Sequence, residues 1–218
     1  MRKPLTALFV ALFCLPGIAL AQPAQQAPAQ QAPAQRQVGR DAPPPAEQVL
    51  APELPGYVLV AQDMKEERRV FEFLPKGQTL ENWTERMAIV VFFGVTGKDP
   101  KQVAETLQAE WKNSCAAFSS HPVETRWEKG YPTTIFAMQC AGSKPAPGKL
   151  ANEFVMAKVI QGIDSLYLVQ RAWHSATDKV PPPLRDTATG DQWADFMRGV
   201  EVCDGRLRGQ PCAALGRR

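Results

Sequence analysis

Histidine is scarce in this chain: there are two, His121 and His174, in 218 residues. No C-x-x-C pair occurs. The paired close ligands of a zinc site and the dithiol redox motif are therefore both missing. No G-x-S-x-G elbow is present, and Gly94-Val95-Thr96-Gly97 lacks the lysine of a phosphate-cradling loop. A serine–histidine–acid triad is defined by geometry and stays open at this level. Beyond the N-terminus, no apolar run approaches the ~20 residues of a bilayer-spanning helix. Strong charge is lacking too, with a net of +3 over the whole chain. Nucleic-acid binding runs on phosphate neutralisation, so it is not expected here. No motif implies a cofactor or a bound metal.

The chain opens instead with a processing pattern. Arg2 and Lys3 precede an apolar run over 5–15, and Ala19-Leu20-Ala21 supplies a small-x-small triplet. Residues 1–21 therefore read as a cleaved signal peptide of a bacterial protein, periplasmic or secreted. Pro16 and Gly17 break the apolar helix, which argues against a retained anchor. Cys14 follows the bulky Phe13 and reads as an ordinary apolar residue of the signal, not a lipidation site. Cleavage after Ala21 removes Arg2 and Lys3 and lowers the net charge from +3 to +1.

Residues 22–53 are built from Ala, Gln and Pro and include the near-repeat AQQAPAQQAPAQ. Such a segment buries too little apolar surface to offset its ordering entropy, so it is expected to be a disordered linker. Composition changes near Leu54. From 54 to 205 the chain has enough Val, Ile, Leu, Phe and Trp for one core. Residues 206–218 form a basic tail, with Arg206, Arg208, Arg217 and Arg218 and no acid.

Within the domain, 57–61 and 69–74 read as strands that pair across 63–67. A short helical turn is expected over 79–86 with Thr79 as its cap. Residues 87–94, MAIVVFFG, are apolar on both faces, the mark of a covered central strand. A helix is expected over 100–118, capped by Asp99 and started by Pro100. Its core face would carry Val103, Leu107, Trp111, Cys115 and Phe118. Strands follow at 123–128 and 133–141 around Lys129-Gly130, and at 153–161 and 165–174 around residues 162–164. A proline loop at 180–183 leads to a last helix ending near Val200. The order β-β-β-α-β-β-β-β-α predicts an α+β fold: six to seven mainly antiparallel strands covered by two amphipathic helices. This order resembles the PsbP/Mog1-like family of α+β sandwiches, many of them exported or lumenal accessory proteins. The stretch Gly77-Gln78-Thr79-Leu80-Glu81-Asn82-Trp83-Thr84-Glu85 is similar to a segment of exported bacterial proteins, a likeness that carries no function.

Four cysteines remain after cleavage. Cys115, on the helix face one turn after Trp111, and Cys140, in phase with Phe136 and Met138, are expected to pair. Cys203 and Cys212 would then close a short C-terminal loop.

The residues open to a functional reading are few. Trp111 and Trp193 fall in phase with helix cores, whereas Trp83, Trp127 and Trp173 are expected to pack at strand ends, with an aromatic surface as the alternative. His174 ends a strand. Glu81/Glu85 and Asp191/Asp195 are spaced one helical turn apart, but on polar faces. The expectation is a non-catalytic envelope protein that binds a partner protein or small ligand and displays an exposed apolar or charged patch. The alternatives are a small hydrolase with a site near His174 and a carrier of a small apolar ligand held between helix and sheet.

Overall fold

Strands without a polar face decide the architecture. In a computed structural model that describes residues 47–121, 123–143, 152–175, 186–207 and 212, three such strands lie side by side at the centre of one sheet. They are β4 (Glu85–Phe93), β8 (Asn152–Gln161) and β9 (Ser165–Ser175). The sheet continues through β3 (Arg68–Pro75) to an outer strand, β2 (Tyr57–Met64). On the other side lies β7 (Tyr131–Ser143). The free side of β7 is shared by β5 (Cys115–Ser120), along its C-terminal half, and β6 (Glu124–Glu128), along its N-terminal half. Every pairing in this eight-stranded sheet is antiparallel.

Alternation along β8 divides the core into two layers. Phe154, Met156 and Ile160 share a cluster with Trp193, Phe196 and Met197 of α2 (Thr187–Gly199). Val155, Ala157 and Val159 point to the opposite face and are just as buried. There α1 (Pro100–Ser114) contacts β5, β7 and β8 and buries Ala104, Leu107 and Trp111. Asp99 caps α1 as its sequence predicts, its carboxylate accepting from the Lys101 N–H. The chain is thus an α+β fold with one helix on each face of its sheet.

A separate ribbon pairs β1 (Glu47–Leu50) with β10 (Glu201–Asp204). Glu47 accepts from the Tyr167 hydroxyl at 2.9 Å and from the Ile163 N–H at 2.6 Å. Gly162 makes this possible, because a β-carbon there would lie 2.0 Å from the Glu47 carboxylate.

Several expectations need correction. The sheet has eight strands, not six or seven, and the ribbon adds two. The domain begins before Leu54, since β1 lies within the segment read as linker. Helix α1 stops at Ser114 rather than Phe118. The Ser114 hydroxyl donates back to the Glu110 and Trp111 carbonyls, and Cys115 turns extended to pair with β7. The segment expected as a helical turn over 79–86 is a turn followed by a strand. Asn82 Oδ1 accepts from the Thr79 N–H at 2.7 Å. The Gln78 amide closes a reciprocal pair on Thr84, and β4 starts at Glu85. The signal peptide, residues 22–46, the 180–183 loop and most of the basic tail lie outside the described residues.

Both expected disulfides are present, Cys115–Cys140 and Cys203–Cys212. The first joins β5 to β7 rather than helix to strand. Charged side chains lie inside the α2 layer too: the Arg171 guanidinium stacks 4.3 Å over Trp193, and Lys158 sits deeper. Lys158 is fully buried and donates to the Met197 carbonyl at 3.0 Å and the Val200 carbonyl at 2.5 Å. These carbonyls lie at the C-terminal end of α2, where the Met197 carbonyl also accepts from the Val200 N–H at 3.3 Å. Glu128 supplies the counter-charge at 2.5 Å. Burial lowers the Lys158 pKa, and Glu128 opposes that shift.

Two stability predictions follow from this layering. Replacing Cys115 and Cys140 together with Ala is expected to cost about 3.5 kcal/mol, from the entropy of a loop with a separation of 25 residues. Urea unfolding of oxidised wild type against the double variant checks it; equal midpoints would contradict it. Glu128→Ala strands a buried ammonium and is expected to cost about 3 kcal/mol, more than Lys158→Met, which removes the charge itself. The reverse order in the same assay would contradict the assignment.

Candidate functional site

Strand register builds a polar row on the α1 face. Cys140, Glu153 and His174 are successive cross-strand partners on β7, β8 and β9. The His174 N–H donates to the Thr84 carbonyl at 3.0 Å, which brings the residues just before β4 alongside. There the Trp83 ring meets the His174 ring edge-on, with centroids 4.0 Å apart. The Arg86 guanidinium lies 4.7 Å over Trp83 and pairs with Glu72 of β3 at 3.1 Å. Two of the sequence candidates, Trp83 and His174, are therefore brought together by pairing that is non-local in sequence.

Electrostatics in the row follow from burial. Burial pushes the Glu153 carboxyl up to about 7, and Arg86 only partly offsets it. Burial, reinforced by Arg86, lowers the His174 pKa, so the imidazole is neutral at pH 7. His174 Nδ1, Arg86 Nε and Gln170 Nε2 are buried without a hydrogen-bond partner. The row can hold and release a proton near neutral pH at Glu153. Among the described residues of these strands, Ser175 points to the opposite face and Cys140 is held in a disulfide, so neither serves Glu153 as a nucleophile.

The other candidates lie elsewhere. Trp173 is buried in the α2-face core, so strand alternation turns it away from His174 and from any surface. Trp127 is 74% exposed on β6, apart from the row. The carboxylate pairs dissolve: Glu81 accepts from Thr79, and Glu85 accepts from the Tyr57 hydroxyl at 2.6 Å and pairs with Arg171. Asp195 pairs with Arg198 on the surface of α2. His121 edges a cleft of about 400 Å³ between α2 and the β6–β7 pair, floored by Ile135, Ala137 and Met156. Among the described residues, no group of His, Cys, Asp and Glu is placed to hold a metal ion. No described helix is long and apolar enough to cross a membrane.

One exposed apolar feature was not singled out from sequence. Val58, Leu59, Val60 and Met64 of β2 are 37–53% exposed, and they fall on both faces of an outer strand eight residues long. Among the described residues, no strand lies beside the outer edge of β2 in the sheet. Neither helix makes extensive contact with β2. The YVLV run signalled a strand, and only the strand order reveals it as an edge.

The raised Glu153 pKa fixes the sign of a pH effect. The folded state keeps this proton up to about pH 7, whereas an exposed glutamate loses it near 4.5. Stability from this group is complete below 4.5, declines as pH rises to about 7, and stays lost above. Glu153→Gln is expected to leave stability unchanged at pH 4 and to raise it at pH 8 by roughly 2 kcal/mol, discounted for partial solvent exposure. Thermal unfolding of the pair across pH 4–8 measures this. A variant that loses stability at pH 8 would contradict it.

No family model matches the chain, and no curated protein matches it. Solved structures do show a related fold. The Ran-binding protein Mog1p of Saccharomyces cerevisiae aligns at TM-score 0.47 and 13% identity, covering 72% of this chain and 92% of that one. A mutant of Mog1 aligns at TM-score 0.46 and 12% identity, covering 73% and 93%. The cyanobacterial PsbP protein CyanoP of Synechocystis aligns at TM-score 0.43 and 10% identity, covering 74% and 95%. The resemblance to Mog1 and PsbP is one of fold only, and it is weak.

Proposed function

We propose that this chain is an exported, disulfide-stabilised binding domain of the bacterial envelope, carried on its Ala/Gln/Pro-rich segment as a tether and performing no chemistry of its own. Its binding surface is the outer edge of β2, where an extended segment of another polypeptide adds as a further strand. The observation that carries this reading is the exposure of Val58, Leu59, Val60 and Met64 along an edge that has no neighbouring strand among the described residues. Such an edge presents unsatisfied N–H and C=O groups in a row, and apolar side chains beside them reward pairing. Two disulfides suit a domain that matures in an oxidising compartment.

The Glu153–His174 pair favours a second reading, a small hydrolase, because a carboxyl that titrates near 7 beside a neutral imidazole suits proton transfer. Binding accounts for more of the surface, since the row offers Glu153 no nucleophile and the β2 edge stands open.

A photo-crosslinking amino acid placed at Leu59, and separately at exposed Trp127, separates these ideas. On irradiation in the native envelope, the Leu59 form is expected to give a discrete polypeptide adduct and the Trp127 form none. No adduct from Leu59, or equal labelling from both positions, would overturn the assignment of β2.

A further inference from the structure

We infer that the polypeptide that adds to β2 is β2 of a second copy of this chain, giving a two-fold symmetric antiparallel dimer. This inference rests on the reading of β2 as the binding edge.

The two sides of the sheet are built differently. On one side the edge is divided between two short strands, β5 of six residues and β6 of five. Exposed Ser119, Ser120 and Glu124 and the Arg126–Glu128 ion pair set polar groups along that side, beside the single exposed ring of Trp127. Short length and charge are the devices that keep sheet edges apart. On the other side β2 runs for eight residues, and a bulge at Val60 is its only such device.

Self-pairing suits the residues of β2. An antiparallel dimer about a two-fold axis sets each residue of one strand against a residue of the same strand. With the axis near Leu59, Val58 of one copy faces Val60 of the other, and Leu59 faces Leu59. The one charged residue of β2, Asp63, then lies opposite uncharged Pro55, and its charge is already matched by Arg68 at 2.6 Å and Lys65 at 3.5 Å. No like charges oppose one another. Exposed apolar side chains of β2 fall on both of its faces, while Tyr57 packs against the α2-face core, so strand addition would bury apolar side chains above and below the new ladder. Long-range repulsion is also small: the full chain carries +3, and loss of Arg2 and Lys3 leaves +1.

One strand against one strand buries less than the roughly 1,200 Å² of a standard stable interface. The dimer is therefore a reversible one, with a dissociation constant in the micromolar range. Analytical ultracentrifugation of the mature protein from about 1 to 500 μM should show a monomer–dimer equilibrium. Val58→Lys combined with Val60→Lys, both at exposed positions, should weaken it at least tenfold with an unchanged unfolding midpoint. Leu59→Cys should give an intermolecular disulfide on mild oxidation, whereas Trp127→Cys should not. A wild type that stays monomeric at the highest concentration, or a lysine variant that dimerises equally, overturns the inference. If the protein is monomeric yet Leu59 photo-crosslinks to a different protein, the inference falls and the binding edge stands. If Leu59 captures nothing, both fall.

Discussion

A strand with apolar side chains on both faces cannot rest against water on either, and β8 is such a strand. Its alternate residues bury Phe154, Met156 and Ile160 in one direction and Val155, Ala157 and Val159 in the other. At roughly 25 cal/mol per Å² of apolar surface, leaving either face open would cost several kcal/mol, comparable with a domain's net stability. Two helices are therefore needed, one on each side, and α1 and α2 meet the requirement with stripes at helical spacing. Lys158 breaks the apolar pattern of β8 only because α2 ends directly above it. The Met197 and Val200 carbonyls at that helix end and the Glu128 carboxylate hold its ammonium. A polar residue in the core thereby fixes where α2 stops.

Coverage by two helices is finite, and function follows from where it ends. Helix α1 reaches β5, β7 and β8, and α2 packs on β8, so the far side of the sheet extends past both. On that overhang β3 is flanked by neighbours, while β2 is left with apolar side chains and a bare edge. The same geometry makes the centre rigid and the margin adhesive. The polar row of Glu72, Arg86, Trp83, His174 and Glu153 occupies the α1 face, where ring contacts and an ion pair take the place of apolar packing.

Much of this was legible in the residues. The run over 87–94, the Asp99-Pro100 helix start and the turns at Lys129-Gly130 and 162–164 each carry local signals that agree with the global fold. Both disulfide pairings also followed, although Cys115 reaches Cys140 from a strand, not a helix. What escaped is non-local. Cys115 and Phe118 fit a helical period, and only pairing with β7 makes them a strand. The four-residue β1 and β10 are too short to show alternation and exist because they pair with each other. Trp173 stayed open between strand-end packing and an aromatic surface, because the face of a strand-end residue depends on what covers it. The contact of Trp83 with His174, and the status of β2 as an edge, are set by strand order, which residue patterns do not encode.

The central claim is a gradient across one sheet, from a doubly covered centre to a bare margin. Hydrogen exchange followed by mass spectrometry in dilute solution tests it most directly. Peptides from β8 and β9 should exchange last, at the free energy of global unfolding, and β2 peptides should exchange orders of magnitude sooner. Protection of β2 equal to that of β8 under those conditions would contradict the account.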